Sequence, residues 1–298
     1  MLALSLAFIT GARIQAAPSR SASDTDPYIR SITITADLPI SDTHPGAGIT
    51  KTVYFNNGAA GVITLTFEIS GTPALTLTAG AAFDEPERVY TASITQPTFA
   101  ITYSVATTHV TQPGILYTAT NTSSVQTTVS ITYVRDVTAP TTFSPSIAED
   151  SLYICAIGTA LYYTNTMSAA QAFEVQGRST DALAGLHRAA FSHAFGSTPG
   201  DDLSPASFAG IYNIPAGSTE GGVITATVHD WVNNTAVQTY TYDLDGAPPY
   251  TGSIVIEGGR EYISQTAVLL TLFAADAGCG VAGMCAVSYT HLTLPTKA

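Results

Sequence analysis

Charge is what this 298-residue chain has least of: Asp, Glu, Lys and Arg make up 11% of it, about half the usual share. What charge there is leans one way, with 22 acidic residues against 10 basic ones and a formal net charge of -12. A nucleic-acid surface needs clustered Lys and Arg to neutralise phosphates, so nucleic acid is excluded as a partner and anionic membranes are disfavoured. The acidic balance reads as a solubility feature. Lysine is almost absent, unlike the Glu- and Lys-rich helices of cytosolic enzymes. No apolar run is long enough to span a bilayer.

Chemistry-bearing motifs are missing as well. The three cysteines, Cys155, Cys279 and Cys285, show no Cys-x-x-Cys spacing of the kind a zinc site uses. No Gly-x-Ser-x-Gly elbow offers a nucleophile, and no glycine loop leads from a strand into a helix to cradle phosphate. The paired carboxylates Asp201-Asp202 and Glu85/Glu87 fall in Gly- and Pro-rich turns, where solvated turn residues are expected. His187, His193 and His229 lack the convergent partners of a metal centre. No catalytic residue is assigned, and the chain reads as a non-enzyme.

What is present is apolar, β-branched and small: 45% of the residues are hydrophobic, and Thr, Ser, Gly and Ala are abundant. From Val223 to Asp230, Ile224, Ala226 and Val228 alternate with Thr225, Thr227 and His229, which is the period of a half-buried strand. Asn233 and Asn234 supply a turn, Ala236 to Leu244 resumes as a second strand, and Pro248-Pro249 stops it. The same ending occurs upstream, where Asn121-Thr122-Ser123 leads into Ser130 to Pro140; Asn121 and Asn234 are 113 positions apart (234 − 121). A repeat of that length matches a β-sandwich of about 100 residues.

In order, residues 1–27 read as a signal peptide and flexible lead-in, an apolar run followed by small residues before Ala17-Pro18. Residues 28–136 are a first sandwich, with strands IRSITITADL, GVITLTFEIS, ALTLTAG, RVYTASI, FAITYSVA and VSITYV between Gly/Pro turns. Residues 137–245 are a second one. Its stretch from Ser168 to Leu186 has some helical character but is read as a strand, and its loop between Phe191 and Phe208 is long enough to carry a binding function. Residues 246–288 begin a third unit, expected to be truncated, and 289–298 are expected to be non-native: the tail VSYTHLTLPTKA resembles translated read-through of a sequencing-library adapter.

Three features together carry a family resemblance. They are the Ala139-Pro140-Thr141 and Pro248-Pro249 starts, DAGCGVAGM from Asp276 to Met284, and the closing VHDWVNNT. Over residues 137 to about 287 the chain resembles the immunoglobulin-like repeats of bacterial cell-surface and secreted proteins. That family's closing turn has Gly where Asn233 stands here, and Asn is the residue that next best tolerates positive φ. The resemblance implies an all-β fold of tandem immunoglobulin-like β-sandwiches, a secreted or cell-surface location, and a role as structural spacer or adhesive module. Its partners would be neighbouring repeats of the same chain, with a surface polysaccharide or protein as ligand. The alternative is a polysaccharide-binding accessory module of a secreted hydrolase, using Trp231.

Two site expectations remain. No cofactor is required, but calcium at a junction between units would be held by Asp243 and Asp245, two apart in an extended segment, with Asp230 from the same hairpin. Cys279 and Cys285 either form a disulfide across the Gly280 to Met284 loop or are small buried residues; either way Cys155 is left unpaired.

Overall fold

Thr98–Val105 is exposed and buried in strict alternation along its whole length, and Leu75–Ala79 alternates in the same way. A pleated strand with that period lends one face to a core and leaves the other wet. The computed structural model of the chain describes residues 12–15, 28–42, 50–70, 75–92, 98–260, 267–281 and 284. Among them there is no helix, and the protein is all-β. The stretch 289–298 and most of 1–27 lie outside the described residues.

The first unit contains β1 (Ala12–Gln15), β2 (Tyr28–Ala36), β3 (Ile40–Asp42), β4 (Thr50–Phe55) and β5 (Gly61–Ser70). It continues through β6 (Leu75–Ala79), β7 (Arg88–Ala92), β8 (Thr98–Val105), β9 (Gln112–Thr120) and β10 (Gln126–Arg135). These form one sheet in the order β1-β2-β5-β8 and a second in the order β3-β4-β10-β9-β6-β7. Pairing is antiparallel except between β10 and β4, which run parallel. Phe55, Ile63, Leu65 and Phe67 are fully buried between the sheets, each contributing about 1.5–3 kcal/mol by leaving water. Ala12–Gln15, expected within the leader, pairs antiparallel with Ser31 to Ile34.

The second unit contains β11 (Thr141–Glu149), β12 (Ile154–Ile157), β13 (Ala160–Tyr163), β14 (Gln171–Thr180), β15 (Leu186–Phe191), β16 (Ser207–Ile214), β17 (Gly222–Asp230) and β18 (Thr235–Leu244). Its sheets are β11-β14-β16 and β12-β13-β18-β17-β15, with β13 and β18 parallel. The plan is that of the first unit with the two edge strands β1 and β7 removed. In place of β7, the loop 192–206 is pinned by the Ala189–Asp202 bridge. Of the stretch 168–186, Gln171–Thr180 is a strand, as expected, and 181–185 is a turn; the closing hairpin runs as the alternation predicts. A third segment contributes β19 (Thr251–Ile256) and β20 (Leu270–Ala275), one antiparallel pair.

The turn geometry corrects the repeat offset. Asn121 Oδ1 accepts the Ser123 and Val125 N–H groups, and Asp230 Oδ1 accepts those of Val232 and Asn234. Ser124 and Asn233, three residues on in each case, have φ of 62° and 66°. Asn121 therefore corresponds to Asp230 rather than to Asn234, an offset of 109 (230 − 121). The same offset separates Asp136 from Asp245.

Both cores hold buried tyrosines that solve the hydroxyl problem differently. In the first unit Tyr117 Oη bonds Tyr103 Oη at 3.1 Å and Tyr133 Oη at 2.8 Å, a chain whose burial pushes all three phenols up. In the second unit Ala226 stands at the Tyr117 position, and Tyr163 and Tyr212 donate to the carbonyls of Glu220 at 2.6 Å and Ser192 at 2.7 Å. Either way no buried hydroxyl in these sets is orphaned.

Candidate functional site

The chain leaves the first unit at Asp136, and there the two units are tied together. Asp136 N–H donates to Phe55 O at 2.8 Å, which seats it at the end of the parallel β4–β10 pair. Its carboxylate is 0% exposed; Oδ1 accepts Thr138 N–H at 3.0 Å and Oδ2 accepts Ala184 N–H, in the second unit, at 2.9 Å. From the other side, the Asn234 amide donates to Asp136 O at 3.2 Å and to Asp230 Oδ2 at 2.7 Å. Asn56 completes the tie, its amide donating to Asn234 Oδ1 at 2.7 Å and Val232 O at 3.2 Å. Beside it Asn57, also 0% exposed, bonds the carbonyls of Ala106 and His109 and accepts from Arg135 Nε.

The local turns explain why these groups converge. Asp181 Oδ1 accepts Leu183 N–H at 3.0 Å and Gly185 N–H at 2.7 Å, and Gly185 closes this turn at a φ of 77°, where a side chain would be strained. The turn presents Ala184 N–H to Asp136. Asp230 does the same work at the β17–β18 turn.

The outcome is three carboxylates, Asp136, Asp181 and Asp230, whose nearest oxygens lie within 4.8 Å of one another. Among the described residues this is the one group of metal-capable side chains. Burial pushes the Asp230 carboxyl up to about 6, and neighbouring Asp136 adds to the rise against the hydrogen bonds from Asn234 and Val232. A hard cation takes six to eight oxygens. Of the six carboxylate oxygens here, both of Asp136, both of Asp230 and one of Asp181 already accept hydrogen bonds from the protein. The donor set is thus largely satisfied by N–H groups.

The expected calcium set does not converge. Asp230 ends β17 at the turn, whereas Asp243 stands near the far end of the ten-residue β18 and Asp245 just beyond it, so that about 26 Å of strand separates the turn from Asp243 at the strand rise. Asp243 points to the outer face, where Oδ1 accepts Leu244 N–H at 2.9 Å. It borders an open cleft of about 310 Å³ with Tyr162, Gly221 and Thr241. Asp245 serves the next junction: its N–H donates to Tyr163 O at 2.8 Å, and its Oδ2 accepts Cys279 N–H at 3.3 Å.

The cysteine expectation is also corrected. Cys279 is bonded to Cys155, with Cα atoms 5.9 Å apart, because the 276–280 turn is seated against the end of the second unit's five-stranded sheet. Cys279 is therefore unavailable to Cys285, which lies outside the described residues, and Cys155 is paired. Trp231 is 48% exposed and stacks on His187 with centroids 4.2 Å apart; burial lowers the His187 pKa. One indole on one imidazole is not the row of coplanar rings that a polysaccharide platform needs.

Sequence reasoning missed Asn56, Asp136, Asp181 and Asn234 as a site. The signal that could have found them is the 109-residue spacing of Asp136 and Asp245, each just past a Tyr-containing strand.

No family model matches the chain, and no curated protein is similar to it. Among solved structures it is similar to the fibronectin(III)-like modules of CbhA from Clostridium thermocellum, at 14% identity and a TM-score of 0.33, covering 69% of this chain and 93% of that one. It is also similar to a protein of unknown function from Porphyromonas gingivalis, at 10% identity and a TM-score of 0.23, covering 69% of this chain and 99% of that one.

Proposed function

We propose that the chain is a structural spacer of a bacterial secreted or cell-surface protein, in which successive β-sandwiches are held end to end and no reaction is catalysed. The observation that supports it is the hydrogen-bonded network from half-buried Asn56 and Asn234 to the buried Asp136, Asp230 and Ala184. A flexible tether has no use for side chains buried between modules, whereas a spacer needs a fixed angle. Polar groups desolvated at a junction also specify one arrangement, because any other would leave them unpaired. Neighbouring repeats of the same chain are then the main partners.

The test is small-angle scattering of the full chain and of the Asn56→Ala, Asn234→Ala double variant. The variant should show a broader distribution of maximum dimensions with both sandwiches still folded by circular dichroism. Unchanged scattering would sink the spacer reading. Trp231 favours a second reading, a polysaccharide-binding accessory module, since it is exposed and its ring is held flat against His187. Pull-down on insoluble polysaccharides, lost on Trp231→Ala, would support that instead.

A further inference from the structure

The second junction repeats the plan of the first and adds a bond. Asp181, Ala184 and Gly185 recur as Asp276, Cys279 and Gly280: Asp276 Oδ1 accepts Gly278 N–H at 2.8 Å, and Gly280 has a φ of 76°. Cys279 N–H reaches Asp245 as Ala184 N–H reaches Asp136. Register places Cys155 where the first unit has Ser41, since Cys155 lies opposite Tyr162 and Ser41 opposite Tyr54. A Ser41 and Ala184 pair at one junction is thus a cysteine pair at the next, and the two cysteines are joined.

Both are placed for exchange. Cys155 lies on β12, an edge strand of its sheet, and neither cysteine is fully buried. The alternative connection is short and runs through Gly246, Ala247, Pro248 and Pro249, with exposed residues from 246 to 250. Among the described residues, no asparagine bridge like that of Asn56 and Asn234 crosses this junction.

We infer that the Cys155–Cys279 disulfide is a reducible clamp, closed in an oxidising medium and opened by a dithiol, that decides whether the third segment continues the second unit rigidly or swings about the 246–249 linker. The inference rests on the spacer reading and names its regulation. To close the clamp, the two thiols give up two protons and two electrons to a low-molecular-weight disulfide, which departs as two thiols. A dithiol reverses the exchange and is itself oxidised to a cyclic disulfide.

The full chain would be equilibrated with glutathione disulfide or with reduced dithiothreitol, alkylated, and mapped by peptide mass. Oxidised protein should yield a linked Cys155–Cys279 peptide and one alkylated thiol, Cys285; reduced protein should yield three. Limited proteolysis within 246–250 should then quicken about tenfold on reduction and equally in Cys155→Ser without reductant. A linked Cys279–Cys285 peptide, alkylation of Cys155 in oxidised protein, or cleavage at the same rate in all forms overturns the clamp. Failure of the spacer reading is seen separately, in the Asn56 and Asn234 variants, which contain every cysteine.

Discussion

The two junctions solve one problem by different chemistry. The first is closed by side-chain amides and carboxylates, with Asp136 at 0% and Asp230 at 1% exposure; the second has a half-buried Asp245 and a disulfide. A hydrogen-bonded joint depends on exclusion of water and forms with the fold itself. A covalent joint tolerates water but answers to redox conditions. The comparison teaches that the shared element is the geometry, an aspartate at the end of a parallel strand pair meeting an N–H at the third position of a turn, and that the reinforcement is interchangeable.

The comparison breaks most visibly at the aspartates. Asp136→Ala should lower stability by about 2–4 kcal/mol, because the buried Ala184 N–H is left without an acceptor at about 1–3 kcal/mol and the hydrogen bond from the exposed Thr138 N–H, about 1 kcal/mol, is lost as well. Asp245→Ala should lower it by less than about 1 kcal/mol, since water can replace its oxygen at a half-exposed site. Urea unfolding of the full-length variants checks both, and equal losses would mean that the first junction is not the better buried one.

Next in size is a transplant. Ser41→Cys with Ala184→Cys should form a disulfide across the first junction and stabilise the chain by about 2 kcal/mol, toward the lower end of the usual range. Failure of the two thiols to cross-link under glutathione disulfide would show that the junctions differ in shape.

Smaller again is a pH effect confined to the first junction. The Asp230 carboxyl is raised from 3.8 to about 6, so the folded state holds its proton where the unfolded chain has lost it. Its contribution is fully present below about pH 4 and is lost as pH rises through about 6. Melting temperature across that window should fall on the alkaline side, and Asp230→Asn should flatten the slope. A steeper slope in the variant would contradict the assignment. The smallest expected effect is that of calcium: with five of six carboxylate oxygens already accepting N–H bonds, millimolar calcium at pH 7 should hardly move the melting temperature relative to chelator. A clear rise, abolished by Asp181→Asn, would show that the cluster takes a cation after all.

Much of the fold is legible in the sequence wherever one face is buried and the other wet. Val223 to Leu244 declares itself by period, and Asn233 announces a left-handed turn that the structure contains at 66°. β9 is less legible because Pro113 and Gly114 look like a break. The strand tolerates Pro113 because β6 pairs only with its later part, from Tyr117 to Thr120. The junction was illegible for a different reason. Asn121 and Asn234 look alike as letters, yet one begins a turn and the other ends it. Likewise Gly283 matches Gly185 in a string, while Gly280 matches it in backbone angle. Convergence of Asp136, Asp181 and Asp230 needs a strand end of one unit and two turns of the next, which no local pattern encodes.

The polarity of each unit has a mechanical consequence. The chain enters the second unit beside Asp230 and leaves beside Tyr163, at opposite ends of β18, so tension applied to the ends runs along the strands. The parallel ladder of β13 and β18, Ala160 to Tyr163 against Thr241 to Leu244, is then loaded in shear. Its hydrogen bonds bear the force together instead of opening one at a time from a frayed end, and the same holds for β4 and β10. A module wired in this way yields late under pull, as the proposed spacer role would require.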